Sequence, residues 1–202
     1  MQKSKGWKIK SDRPEEIHVK PEFFYTKQEI ESYSNSNSIK KTQEAIASRI
    51  IELLNIKEGK ILDLGAGPGF TSLVYQNAGF EVLALDKIPD MLAKAKEKKL
   101  KVIEGDMLNL SSLFKPNSFD AVVSASALQW IKDKDEIREV ALGVYLILKP
   151  KGKIAIQFYP KSEEELLSTA HIFKKCGFEG QIILDNPDNP KKRLIFLVMQ
   201  RN

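Results

Sequence analysis

Apolar residues recur along this chain at two alternating periods. Ile39, Ile46, Ile50, Leu53 and Leu54 repeat at helical spacing, which predicts an amphipathic helix over 39–54, with Gly59 ending the connection that follows. Beyond it lie short apolar runs at 60–64, 81–86, 101–104, 119–124 and 153–159, of strand length and bounded by turn residues. Between them the spacing predicts helices over 70–78, stopped by Gly79, from Pro89 to Lys99, over 134–148 and over 163–176. Two closing strands, 181–184 and 194–199, flank a loop at 185–192 in which Pro187 and Pro190 mark a hairpin-like connection. Seven strands interleaved with helices predict an α/β fold built on a doubly wound sheet.

Composition narrows this picture. With 202 residues, 42% hydrophobic and 29% charged, the chain suits one soluble globular domain with a full sheet core. An excess of 32 basic over 27 acidic residues, a net +5, permits a nucleic-acid partner without requiring one. Cys176 is the single cysteine, which excludes an intramolecular disulfide and a multi-cysteine zinc site and points to a reducing compartment. No apolar segment follows the basic N-terminus, and the longest apolar runs are too short to span a bilayer, so the expected location is the cytoplasm. The first 26 residues are polar and lysine-rich, broken by Pro14 and Pro21, and end in Phe23-Phe24-Tyr25. Residues 1–38 are expected to form an arm and helix docked on a domain of residues 39–202, and His18 and His171, at no strand end, read as surface residues.

The chemistry gathers where strands end. Ile61-Leu62-Asp63-Leu64-Gly65-Ala66-Gly67-Pro68-Gly69-Phe70 carries an apolar strand into an acid and then three glycines at every second position. Gly65, Gly67 and Gly69 permit a sharp turn and a close approach to a ligand, while Asp63 stands as an acceptor at the strand's carboxyl end. A pyrophosphate-binding loop is spaced G-x-G-x-x-G. Here the pattern is D-x-G-x-G-x-G, whose acid suits a ligand carrying an ammonium group and no phosphate, and so points to S-adenosyl-L-methionine. Asp86 ends the second strand at the distance where a carboxylate binds both ribose hydroxyls. Asp106, in Gly105-Asp106-Met107 after the third strand, is placed to accept from an adenine amino group, with Met107 packing on the ring, and Ser124 ends the fourth strand.

These motifs resemble the class I S-adenosylmethionine-dependent methyltransferase family over about residues 40–200. That resemblance implies a seven-stranded Rossmann-like sheet, mostly parallel with one antiparallel strand near the C-terminus, and a cofactor set that includes Ala66, Lys87 and Tyr33. A narrower resemblance rests on Arg13-Pro14-Glu15, Pro21-Glu22-Phe23-Phe24-Tyr25, Tyr33, Ser124-Ala125-Ser126-Ala127-Leu128-Gln129-Trp130, Gln157-Phe158-Tyr159-Pro160, Cys176-Gly177-Phe178-Glu179-Gly180 and Lys191-Lys192-Arg193-Leu194. Across nearly the whole chain these segments resemble the small-subunit rRNA guanine-N7 methyltransferases of ribosome biogenesis. The family carries an arginine shortly after the first-helix tyrosine, where this chain has Ser38.

The acceptor chemistry agrees with the segment after the fourth strand. Ser124-Ala125-Ser126-Ala127 replaces the Asn-Pro-Pro-Tyr type of motif used on exocyclic base amines. Guanine N7 offers a lone pair and loses no proton on methylation, so no general base is required and alignment carries the rate. Gln129, Trp130, Tyr159 and Tyr25 are the candidates for holding the base by edge hydrogen bonds and stacking; the competing reading of Trp130 and Tyr159 is wall or core aromatics. No metal site is expected. Basic clusters at 94–101, 149–153 and 191–193 are solvated surface or phosphate contacts. The resemblance also implies a small zinc-binding activator protein, making a heterodimer by pairing at the third-strand edge, Lys101, Val102, Ile103 and Glu104. Two other readings stay open: a small-molecule methyltransferase, and a ribosome-assembly factor in which methyl transfer is secondary.

Overall fold

The computed structural model describes residues 13–18, 20–189 and 191–202; residues 1–12, the first part of the expected arm, and Pro190 of the expected hairpin loop lie outside them. Three short helices, α1 (Pro14–Ile17), α2 (Pro21–Phe24) and α3 (Lys27–Asn35), lead into the long α4 (Asn37–Leu54). Ser36 caps α4 by accepting from the Ile39 N–H at 3.3 Å, and the helix turns Ile46, Ala47, Ile50 and Leu54 inward. The chain then alternates through β1 (Lys60–Leu64), α5 (Phe70–Asn77), β2 (Glu81–Asp86), α6 (Pro89–Glu97), β3 (Lys101–Glu104), α7 (Leu110–Leu113) and β4 (Phe119–Ala125). It closes with α8 (Lys134–Ile147), β5 (Leu148–Gln157), α9 (Glu163–Lys175), β6 (Phe178–Asp185) and β7 (Leu194–Arg201).

The strands form one sheet in the order β3-β2-β1-β4-β5-β7-β6, parallel except for β7, which runs antiparallel to both β5 and β6. Strand β1 is buried on both faces, as a central parallel strand must be. Leu62 and Leu64 face a core with α7, α8 and α9, while Ile61 faces a second core with α4 and α5. The chain order reverses between β1 and β4, and the crevice beyond the carboxyl ends of those strands is where an open sheet of this kind binds ligands.

The strands differ from expectation at their ends. Strand β5 starts at Leu148, five residues before the expected position, because it pairs with β4 through a register shift between Phe119 and Ala121. Strands β6 and β7 are eight residues each and pair from Phe178↔Arg201 to Asp185↔Leu194. Much of β6 is exposed at the sheet edge, and there the backbone ladder extends the strand past its apolar residues. His18 is half-buried, with its ring 5.4 Å from that of Phe24.

Candidate active site

The loop after β1 is shaped from both sides. Gly65 has φ +68, and a Cβ there would lie 2.3 Å from the Cβ of Ala127, so the loop packs directly on the segment after β4. Gly67 also has a left-handed φ, +55, but only the Met91 sulfur comes near it, at 3.9 Å, which leaves it open to the crevice. The Gly65 and Ala66 N–H groups both donate to the Leu85 carbonyl, tying the loop to the end of β2.

Asp86 completes that tie. Its carboxylate, 8% exposed, accepts from the N–H of Gly67 at 2.8 Å and of Ile88 at 2.9 Å. Burial raises its pKa, and the backbone donors together with Lys87 oppose the rise. Each carboxylate oxygen keeps a further lone pair, so the residue can still accept from hydroxyl groups in the crevice. Lys87 bridges Asp106 at 2.9 Å and Glu22 of α2 at 2.7 Å; burial works against its charge, but the two carboxylates outweigh it and raise its pKa. Asp106 also accepts from the Leu108 N–H at 3.1 Å, which fixes the turn that carries Met107.

These groups enclose a cavity of about 320 Å³. Of the expected cofactor residues, Gly65, Ala66, Gly67, Asp86, Lys87, Asp106, Met107 and Tyr33 line it, as do Tyr25 and Trp130 from the expected substrate set. A second cavity of about 1020 Å³ adjoins it, with Tyr25, Tyr33, Gln43, Ser126 and Trp130 in both walls. Gln129 and Tyr159 line only this second groove, together with Arg13, Ser38, Lys191 and Arg193. The Trp130 ring lies 5.9 Å from Tyr25 and 6.2 Å from Phe24, an aromatic corner where the two spaces meet. Burial raises the phenol pKa of Tyr25 strongly and pushes that of Tyr33 up to about 12, so both hydroxyls stay protonated at neutral pH.

Three expected cofactor residues stand behind the wall. Asp63 is fully buried and turned under the loop, where Oδ2 accepts from Thr71 Oγ1 at 2.7 Å and Ser72 Oγ at 2.6 Å, holding the start of α5. Burial raises its pKa to about 6 against those two hydrogen bonds. Gly69 precedes α5 as its cap, and a Cβ there would meet Leu100 at 2.4 Å. Ser124 donates to the Leu64 carbonyl at 2.8 Å and locks β4 to β1. Asp63 Oδ2 and the Ser124 hydroxyl are thus taken by local hydrogen bonds, and Gly69 by the close approach of Leu100.

Other wall residues escaped the sequence reading. Ile88 and Met91 of the cavity wall pack with Ile30 of α3. Gln43 carried a signal that went unread: it is a polar residue on the stripe that runs Ile39, Ile46, Ala47, Ile50, and it donates to Ser126 Oγ at 3.3 Å. Ser38 opens on the second groove, away from the cofactor-side cavity.

The arm roofs both spaces. Arg13 donates to the Tyr159 carbonyl at 3.1 Å, Lys132 donates to the Glu15 carbonyl, and Lys161 pairs with Glu16 at 2.8 Å. On the cofactor side, Lys94 of α6 pairs with Glu31 of α3 at 2.8 Å.

A seven-stranded sheet of this order, with a glycine loop and a carboxylate at the end of each of the next two strands, defines a class: an S-adenosylmethionine-dependent methyltransferase. The methyltransferase-domain family matches residues 62–156. In solved structures the chain resembles phosphoethanolamine N-methyltransferase 2 of Haemonchus contortus in complex with S-adenosyl-L-methionine, with TM-score 0.62 and 27% identity over 81% of this chain and 44% of that one. It is 32% identical to the 18S rRNA (guanine-N(7))-methyltransferase of Schizosaccharomyces pombe, over 93% of this chain and 74% of the relative. The corresponding Saccharomyces cerevisiae enzyme is 32% identical over 88% of this chain and 68% of its own length. The chain belongs to the family of 18S rRNA (guanine-N7)-methyltransferases.

Proposed function

We propose that this chain transfers the methyl group of S-adenosylmethionine to N7 of a guanine in small-subunit rRNA. The observation that carries the reading is the join between the two cavities, where a nucleoside-sized space opens through Tyr25, Tyr33 and Trp130 into a groove bordered by Arg13, Lys191 and Arg193. The residues fit the cofactor: Asp86 offers buried acceptors for ribose hydroxyls, Asp106 and Met107 border the place for a purine ring, and Gly67 leaves the loop open beside them. When bound, S-adenosylmethionine supplies an electrophilic methyl group on its sulfonium.

The protein's part is alignment. Tyr25 and Trp130 clamp the base and keep water from the junction, and the loop together with Asp86 fixes the other reactant. Because N7 loses no proton, the neutral phenols of Tyr25 and Tyr33 suit the reaction; neither has to act as a base. The cationic rim meets the phosphates on either side of the target nucleotide.

A small zinc-binding activator protein is the proposed partner, adding a strand beside β3 to give a heterodimer. In support, among the described residues β3 pairs with β2 alone, and Val102 and Ile103 are only half-buried there. The reaction is tested by mapping N7-methylguanosine through reduction and aniline cleavage of small-subunit rRNA from a strain lacking the gene. Loss of one site is expected, and an unchanged map would overturn the reading.

A further inference from the structure

The lone pair on N7 is common to guanine and adenine, so methyl-transfer chemistry by itself does not select between them. Selection needs a group that reads a second position of the base, O6 or N6 beside N7 or the N1 and N2 edge, and the second groove borders a group suited to the latter. Gln129 is 8% exposed and lines this groove but not the cofactor-side cavity. Its Nε2 donates to the Ser126 carbonyl at 3.0 Å, whereas its Oε1 is buried with no hydrogen-bond partner among the described residues.

The orientation of this amide is fixed by its surroundings. Turning it over would set Oε1 against the Ser126 carbonyl, oxygen to oxygen, so the nitrogen must face Ser126 and the oxygen must face away. Ser126 is itself immobilised: it holds a left-handed φ of 58°, its N–H donates to the Gln157 carbonyl at 3.0 Å, and its Oγ donates to Gln157 Oε1 at 2.9 Å. Gln43 anchors the same hydroxyl from α4. A rigid, buried acceptor without a donor is unfavourable alone and is relieved when a ligand brings the donor.

We propose that Oε1 of Gln129 is the acceptor that selects guanine, by taking a hydrogen bond from the N1–H and N2–H₂ edge of the target base. The proposal rests on the guanine-N7 reading above. With N7 directed at the junction of the two cavities and the ring held by Tyr25 and Trp130, the opposite edge of the base points into the groove, on the side that Gln129 borders and the cofactor does not. Guanine presents only donors at N1 and N2. Adenine puts an unprotonated nitrogen at N1, which leaves Oε1 facing a lone pair. Gln129 is thus a specificity residue, distinct from the groups that align the methyl transfer.

The test uses the full chain, S-adenosylmethionine and an RNA oligonucleotide spanning the position that loses its methyl group in the deletion strain, carrying guanosine, 1-methylguanosine or adenosine there. For the unaltered chain, kcat/KM on guanosine is expected to exceed that on either analogue by at least about 100-fold. Gln129→Met should lower kcat/KM on guanosine by at least about tenfold, leave the adenosine rate unchanged, and leave cofactor affinity by calorimetry unchanged. A purely structural role would lower both rates in parallel, and that parallel loss would overturn the proposal. Should the variant fail to fold, the unaltered chain still decides: equal rates on guanosine and 1-methylguanosine would sink it. A chain inert on the guanosine RNA both alone and with the activator protein added would overturn the functional reading itself, and this proposal with it.

Discussion

Asp63 illustrates how far a residue's chemistry depends on what it meets. By sequence it is the acid that opens the glycine pattern; in the fold its Oδ2 is taken by Thr71 and Ser72, while Oδ1 has no hydrogen-bond partner among the described residues in a fully buried setting. Its pKa rises from 3.8 to about 6, chiefly through burial. Between these values the folded state binds the proton and the unfolded chain does not, so this residue makes stability fall as pH rises from about 4 to about 6. A shift of that size is worth about 3 kcal/mol. Asp63→Asn, which mimics the protonated form, should therefore gain on the unaltered chain by about that amount between pH 4 and pH 7, read from urea unfolding at each pH. A difference that stays constant across this range would show that the carboxyl titrates normally. Asp86, by contrast, kept the place its spacing gave it, because backbone N–H groups hold it at the crevice edge without covering it.

Among elements, the strands that flank the crevice were legible and the roof was not. Strands β1 and β2 are short runs dominated by apolar residues because both of their faces are covered, and the sequence marks such runs plainly. The short helices α1 and α2 have no apolar stripe of their own, and they are held by long-range contacts from Tyr159, Lys132, Lys161 and Lys87. Those contacts are two part-buried hydrogen bonds and two partly exposed ion pairs, each worth on the order of 1 kcal/mol, so the roof is the least stable part of the site. Pro21 and Tyr25 of this segment line the cofactor-side cavity, so a bound cofactor adds contacts that hold the roof down. Chymotrypsin cleavage after Phe23, whose side chain is 66% exposed, should slow by about tenfold at saturating cofactor, followed by mass spectrometry. A rate indifferent to cofactor would mean that the arm does not close over the ligand.

For the molecule as a whole, the net charge of +5 matters through its placement, since Arg13, Lys191 and Arg193 border one groove. If those three meet phosphates of single-stranded RNA, log K for RNA should fall against log salt with a slope of about −2, about a 20-fold loss from 50 to 200 mM, and Lys191→Ser should flatten it by about 0.7. Fluorescence anisotropy across that salt range measures both; a slope the substitution leaves unchanged would remove Lys191 from the RNA path. By itself the sequence determined the alternation of strands and helices, the doubly wound sheet, and the candidates Gly67, Asp86, Asp106 and Met107 that line the smaller cavity, because periodicity and strand-end spacing are local properties that survive without the fold. Tertiary structure alone decided which polar groups remained available. Whether Asp63 faces a ligand or a pair of hydroxyls, whether Gln129 keeps a free acceptor, and whether Arg13 and Arg193 share one groove all depend on contacts between segments far apart in the chain, which no local pattern encodes.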